Sequence, residues 1–76
     1  MIEYKVKIDT IDGVKKFVTA ASKFAYDIDL ISGRYAVDAK SVLGIFSIDT
    51  SKVLTMVAHT DDTSELEAAL SDFIIN

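Results

Sequence analysis

The sequence predicts an α+β fold in which a four-stranded antiparallel sheet carries three helices on one face. Three observations support this prediction. Apolar and charged residues alternate at the start of the chain, as in a strand with one buried face. Apolar residues then recur every three or four positions, as in an amphipathic helix. Following these two periods along the chain gives the order βαββαβα, and one-sided helices favour a sheet covered on one face.

The first strand and the first helix have the clearest patterns. The strand is marked by four apolar residues that alternate with charged ones: Ile2, Tyr4, Val6 and Ile8. The helix is marked by apolar positions at helical spacing: Ile11, Val14, Phe17/Val18, Ala21 and Phe24/Ala25. Thr10 or Asp9 is its predicted N-cap, because short polar side chains accept hydrogen bonds from free N–H groups.

The later elements are shorter. Ile28 and Leu30 mark a second strand, Ser32-Gly33 a tight turn, and Tyr35, Val37 and Ala39 a third strand in a hairpin with the second. A fourth strand alternates Leu54, Met56 and Ala58 with Thr55, Val57 and His59. Asp61-Asp62-Thr63-Ser64 opens the last helix, Asp62 and Glu65 have the spacing of a capping box, and one helix face carries Leu66, Ala69/Leu70 and Phe73.

The uncovered sheet face is predicted to be polar. It carries Glu3, Lys5, Lys7, Asp27, Asp29, Arg34, Asp38, Thr55 and His59. Ile31, Ala36 and Val57 add a thin apolar stripe. The stripe is interpreted either as ordinary surface apolar residues or as a weak dimer contact, so a monomer or a weak dimer is expected.

Composition restricts the class of protein. The 76 residues allow one small domain, 1–76, and the 50% hydrophobic content suffices for a core. The net charge of −4 argues against nucleic-acid binding, which depends on contacts to phosphate. The absence of cysteine excludes disulfides and thiolate metal sites. With no signal peptide and no apolar run of membrane-spanning length, a soluble cytoplasmic protein without membrane association is expected.

The segment from Lys40 to Ser47 is the most informative stretch. Ser41 stands where a helix needs an N-cap, and these apolar residues follow it: Val42, Leu43, Ile45, Phe46 and Ile48. Two helical turns cannot bury all of them on one stripe. We expect Val42 or Ile45 to face inward and Leu43 and Phe46 to be at least partly exposed.

The segment Lys40-Ser41-Val42-Leu43-Gly44-Ile45-Phe46-Ser47, in this order of elements, resembles the HPr family, small phosphocarriers of the bacterial sugar phosphotransferase system. Two further matches are Val18-Thr19-Ala20-Ala21-Ser22-Lys23-Phe24 and Asp27-Ile28-Asp29-Leu30. The resemblance covers nearly the whole chain and implies an HPr-like open-faced β-sandwich.

The chain departs from the family at its phosphocarrier loop. Counting back from Ser22, the place of the family's histidine falls on Thr10, that of its arginine on Asp12 and that of its proline on Gly13. A phosphohistidine carrier needs an imidazole nucleophile and a cation near a helix N-terminus. The expectation is therefore a degenerate site with no catalytic residue, in which Asp9, Thr10 and Asp12 serve as cap and dipole complement.

His59 is the only histidine. Its position at the end of the fourth strand predicts a solvated side chain on the uncovered face. With a single imidazole beside Asp61 and Asp62, the signal for a metal is weak. The expectation is a protein that is not an enzyme and has no metal or cofactor.

The resemblance implies roles for the Ser41 segment. Ser41 corresponds to a regulatory phosphorylation site of some family members, and Val42, Leu43 and Phe46 correspond to a docking patch for a phosphotransferase-system enzyme, a kinase or a regulator. The helix dipole and Lys40 would accommodate a phosphate there. A simple N-cap role for Ser41 is the competing interpretation.

Three functions therefore stay open. The first is a regulatory or protein-binding module without histidine phosphocarrier activity, like a family paralogue that lacks the histidine and keeps the serine. The second is a phosphotransfer component that uses a non-standard acceptor, His59 or Thr10. The third is a plain assembly domain.

Overall fold

The computed structural model describes residues 1–75, and its elements follow the predicted order. They are β1 Ile2–Val6, α1 Ile11–Ala21, β2 Ile28–Ser32, β3 Tyr35–Asp38, α2 Val42–Phe46, β4 Leu54–Ala58 and α3 Ser64–Ala69. The four strands form one antiparallel sheet in the order β1-β4-β2-β3. The predicted α+β class, with helices on one face of the sheet, is confirmed.

The core lies between the sheet and the three helices. One row of paired residues crosses the sheet on this side: Tyr4, Met56, Leu30 and Val37. Each helix contributes a fully buried side chain to the same core: Phe17 from α1, Ile45 from α2 and Leu66 from α3. Burial of this apolar surface fixes the helices on one face, because each helix has a single apolar stripe to cover.

The other face of the sheet is open and polar. Val57 lies at its centre, paired with Glu3 on one side and Asp29 on the other, and is only 7% exposed. Ile31 is half-buried and Ala36 is exposed. The predicted apolar stripe is therefore shorter than expected, because Val57, its member on β4, is largely covered.

Helix α1 is shorter than the sequence pattern predicts. It ends at Ala21, so Phe24 and Ala25 lie outside it. The N–H of Phe24 still donates to the carbonyl of Ala21 at 3.2 Å, in a tighter final turn.

The hairpin turn between β2 and β3 lies at Gly33-Arg34, one residue later than predicted. Gly33 has a φ of 59°, which glycine adopts without strain.

The start of α3 differs from the predicted capping box. Thr63 is the N-cap residue, and its side chain forms no capping bond. Asp62 instead accepts from the N–H and the hydroxyl of Ser64, at 3.0 and 2.8 Å, and these bonds lower the pKa of the Asp62 carboxyl. The N–H of Asp62 faces Thr60 at 3.4 Å, so Glu65 does not make the return bond that a capping box requires.

The chain after α3 supports the sheet in a way that the sequence pattern does not reveal. At the predicted apolar position Ala69/Leu70, Leu70 is fully buried and Ala69 is exposed. Phe73 lies beyond the helix, with its ring edge-on to Phe17 at 5.3 Å. Ile74 pairs with Val6. The backbone bonds Lys7 N–H to Phe73 O and Ile75 N–H to Lys5 O are both 2.9 Å long. The outer edge of β1 is thereby covered.

A polar contact fastens α3 to β1. The hydroxyl of Tyr4 lies 2.5 Å from Thr63 Oγ1 and donates to Glu67 Oε2. Tyr4 and Thr63 are both buried. The pKa of the Tyr4 hydroxyl is raised, first by burial and then by the bond to Glu67.

Within residues 1–75, none of the helices combines the length and the apolar character that crossing a membrane would need.

Candidate functional site

Helix α2 is set by the serine at its entrance. Ser41 has extended backbone angles, and its Oγ accepts a hydrogen bond from the N–H of Gly44 at 3.0 Å. This is the N-cap arrangement, which satisfies one of the free N–H groups of the first turn. At the other end, the hydroxyl of Ser47 donates to the carbonyl of Gly44 at 2.6 Å. The predicted N-cap role of Ser41 is confirmed.

Gly44 allows α2 to lie close to β3. A Cβ at this position would come within 3.2 Å of the Ser41 side chain and 3.4 Å of Val37 Cβ. The first of these separations is tighter than ordinary van der Waals contact. The absence of a side chain at Gly44 therefore allows Ser41 and the third strand to lie close to the helix.

The apolar side chains of α2 divide between the core and the solvent. Ile45 is fully buried, and Val42 is half-buried against the core. Leu43 is 82% exposed and Phe46 is 47% exposed. This division matches the expectation from the sequence. Leu43 and Phe46 are three residues apart, so they lie on the same side of the helix. We call these two side chains the α2 patch.

The structure corrects the role expected for Lys40. Its ammonium group donates to the backbone carbonyls of Phe24 at 2.6 Å and Tyr26 at 2.7 Å. A phosphate on Ser41 would therefore have to compete with these two carbonyls for the Lys40 charge. Lys40 joins the start of α2 to the segment between α1 and β2, a contact that sequence spacing alone could not indicate.

The N-terminus of α1 holds the position that the sequence comparison assigned to a histidine. Thr10 has an extended backbone, and its hydroxyl accepts from the N–H of Gly13 at 2.9 Å. Asp12 lies in the first turn, where a carboxylate complements the helix dipole. Thr10, rather than Asp9, is thus the N-cap.

A cation lies beside the residue that precedes the N-cap of α1. The Lys7 ammonium bonds Asp9 at 2.8 Å and the carbonyl of Thr50 at 3.2 Å. Asp9 thus offsets the charge of Lys7. The arrangement differs from a phosphoryl site, which needs a cation that is available to the incoming phosphate.

His59 lies at the opposite end of the sheet. It directly follows β4 at the end where Ala58 pairs with Ile2, whereas α1 begins beyond the end where Leu54 pairs with Val6. At about 3.3 Å per residue, the length of β4 separates the two ends by roughly 13 Å or more. His59 Nε2 instead lies 2.8 Å from Asp29 Oδ2 on the open face. It is exposed, as predicted.

A metal centre has no structural basis in the part of the chain that the structure describes. Within residues 1–75, no group of three or more His, Cys, Asp or Glu side chains could hold a metal ion. The candidate functional features are therefore the two capped helix N-termini, at Thr10 and Ser41, together with the α2 patch.

The fold and these two helix N-termini define an open-faced α+β sandwich of the phosphocarrier type. The family model described as "PTS HPr component phosphorylation site" matches residues 13–76. The chain belongs to this family, the HPr component of the phosphotransferase system. The matched range begins at Gly13, after Thr10 and Asp12.

Solved structures give the same assignment. The chain is 32% identical to HPr-C-His from Thermoanaerobacter tengcongensis, with a TM-score of 0.78 over 95% of this chain and 89% of that one. It is 26% identical to the phosphocarrier protein HPr from Bacillus anthracis, with a TM-score of 0.73 over 95% of both chains. No curated protein sequence gives a significant match.

A third structure shows the same fold at lower identity. It is the catabolite repression containing protein of Bacillus subtilis, described as a domain-swapped dimer, at 23% identity and a TM-score of 0.65. The match covers 93% of this chain and 88% of that one.

Proposed function

We propose that this protein is a regulatory or protein-binding member of the HPr family that has no histidine phosphocarrier activity. The observation that carries the proposal is the pairing of two features. The exposed α2 patch offers Leu43 and Phe46 to a partner, whereas Thr10 occupies the N-cap of α1 as a hydroxyl rather than an imidazole. Like the rest of its family, the protein would act in the cytoplasm and would not itself be an enzyme.

The chemistry at α1 favours the loss of carrier activity. Phosphoryl transfer to a histidine requires an imidazole nitrogen as the nucleophile. Thr10 Oγ1 already accepts a capping bond, and the neighbouring Asp9 and Asp12 are carboxylates that would repel a phosphoryl donor. The ammonium group of Lys7 is already paired with Asp9, the residue before Thr10.

The proposed docking surface is the α2 patch, with Val42 at its buried margin. Exposed aromatic and aliphatic side chains that stand together on a helix are suited to burial by a partner. Phe46 is the best anchor, because its ring is only 47% exposed. A ring that is already partly covered loses less rotational freedom on binding than a fully exposed one. The partner would be a phosphotransferase-system enzyme, a kinase or a regulator.

Ser41 is the proposed regulatory phosphorylation site at the edge of this patch. A phosphate there would add about −1.5 to −2 charge and would remove the hydroxyl from its capping geometry. Because the Lys40 ammonium is bonded to the carbonyls of Phe24 and Tyr26, much of the added charge would face the partner. The modification would therefore change the charge of the docking surface.

A capture experiment with two matched variants tests this proposal. The wild type, Phe46→Asp and Val53→Asp would each be immobilised and exposed to an extract of the source cells, and the bound proteins identified by mass spectrometry. Val53 is a suitable control, because it is 51% exposed and lies outside α2. We expect a phosphotransferase-system component that is retained by the wild type and Val53→Asp and is lost with Phe46→Asp. Identical protein lists from all three would reject the α2 patch.

A further inference from the structure

A groove lies between the α1–β2 connection and the start of α3, and it is separate from the N-termini of α1 and α2. It has a volume of about 240 Å³ and is lined by Phe24, Tyr26, Asp62, Ser64 and Glu65. This volume suits one long side chain, since sites for drug-sized ligands have volumes of about 300–1,000 Å³. The groove was not predicted from the sequence, because its two walls are nearly forty positions apart along the chain.

One wall of the groove is aromatic. The rings of Phe24 and Tyr26 are 5.6 Å apart between centroids and tilted by 37°. Both side chains are half-buried. Within residues 1–75, the Tyr26 hydroxyl forms no hydrogen bond, so it can accept one from a ligand. Aromatic faces of this kind attract cations, because the ring quadrupole is negative above the plane.

The other wall carries two carboxylates. Glu65 is exposed and forms no ion pair or hydrogen bond with any residue from 1 to 75. Asp62 uses Oδ1 for its bonds to Ser64, which leaves Oδ2 without a protein donor in the described chain. Burial and these two charges, in that order, raise the pKa of Tyr26, in agreement with a negative potential around its hydroxyl.

The charges around the groove are not balanced by a basic side chain in its lining. The Lys40 ammonium donates to the backbone carbonyls of Phe24 and Tyr26, but Lys40 does not line the groove. An anion would be repelled here, and a purely apolar group would leave the carboxylates unsatisfied.

We infer that this groove binds the guanidinium group of an arginine side chain from a partner protein. A planar guanidinium can stack on the Phe24–Tyr26 wall while its N–H groups donate to Glu65 and to Asp62 Oδ2. A lysine ammonium offers no such flat face. The groove would provide a second contact with a partner, distinct from the α2 patch.

Amide-resolved NMR titration of the full chain with N-acetyl-arginine N-methylamide tests this inference. The expected result is a saturable shift of the amides of residues 24–26 and 62–65, with little change in α2. Glu65→Gln should weaken the fitted affinity roughly two- to fivefold, the usual effect of losing one exposed ion pair. Glu3→Gln is the matched control, because it removes the same charge from the open sheet face.

Three comparisons can overturn the inference. The neutral citrulline derivative has nearly the same shape, so equal shifts with it would exclude recognition of charge. Equal weakening by Glu3→Gln and Glu65→Gln would indicate general attraction to an acidic protein. Tighter binding of free arginine than of the blocked derivative would point to the amino acid as ligand rather than to a protein side chain. None of these readouts depends on α2, so they are independent of the proposed docking patch.

Discussion

The ammonium group of Lys40 lies 2.7 Å from the carbonyl oxygen of Tyr26, and it also donates to the carbonyl of Phe24. This one side chain therefore joins the entrance of α2 to the segment that links α1 with β2. The contact is partly buried, so water can replace it only in part.

Replacing Lys40 with methionine should lower the free energy of unfolding by about 1–2 kcal/mol. The substitution keeps most of the aliphatic stem but removes two hydrogen bonds from a charged group. Such bonds make a net contribution of about 1.5–3 kcal/mol when they are buried, and less where water can replace the donor, as at this partly buried site. Urea denaturation would measure the loss. Lys16→Met is the control, since Lys16 is exposed on α1. Equal stability of the two variants would show that the Lys40 contacts contribute nothing.

Two substitutions at Ser41 should separate its capping role from its charge. Ser41→Ala removes the acceptor for the Gly44 N–H and should cost about 1 kcal/mol, the typical value for an N-cap. Ser41→Asp keeps an acceptor at the cap and adds a negative charge, so it should be nearly as stable as the wild type. Thermal unfolding provides the comparison.

If binding of the partner depends on the charge at position 41, Ser41→Asp should change the amount of partner captured. Ser41→Ala should capture the partner normally at temperatures where the variant is folded. The control is Ser22→Ala, at an exposed serine after α1. Unchanged capture by Ser41→Asp would argue against regulation through charge at this position.

The Tyr4 hydroxyl should make stability depend on alkaline pH. Its folded-state pKa is raised above 10.0, first by burial and then by Glu67, so the folded protein holds this proton more tightly than the unfolded chain. The resulting stabilisation is complete below pH 10 and is lost as the pH rises above that value, because the unfolded chain ionises first.

The variant Tyr4→Phe should be about 1–2 kcal/mol less stable at pH 8, because it removes a hydroxyl bonded to Thr63 and Glu67. The difference from the wild type should narrow as the pH rises above 10, because the folded-state pKa of Tyr4 is raised. Denaturant unfolding at several pH values measures both. A difference that does not change with pH would mean that Tyr4 ionises alike in the folded and unfolded chains.

The sequence was most informative where the spacing of apolar residues within one segment was enough to determine a single strand or helix. The alternation in β1 and β4 placed the core row correctly, and the crowded apolar residues of α2 correctly indicated that Leu43 and Phe46 would be exposed. Ser41 was predicted as a cap from its residue type and position, whereas the cap of α1 was left open between Thr10 and Asp9, because both kinds of short polar side chain suit that role.

The errors arose where tertiary contacts decide the outcome. Phe24 extends the helical period of α1, yet it leaves the helix to pack beside Tyr26. Phe73 also fits a helical face, but α3 ends earlier, and Phe73 instead lies against Phe17 while Ile74 pairs with Val6. The bonds of Lys40 and the groove beside Glu65 likewise depend on segments far apart in sequence, which no local period can reveal.

The most direct test of the central claim is incubation with phosphoenolpyruvate and the first enzyme of the phosphotransferase system, followed by intact-mass spectrometry before and after acid treatment. The phosphocarrier protein HPr from Bacillus anthracis serves as the positive control. We predict that the control gains an acid-labile phosphate and that this protein gains none, because its only histidine, His59, lies at the far end of the sheet from α1. Acid-labile phosphate on this chain, abolished by His59→Ala, would contradict the claim, and acid-stable phosphate abolished by Thr10→Ala would equally contradict it.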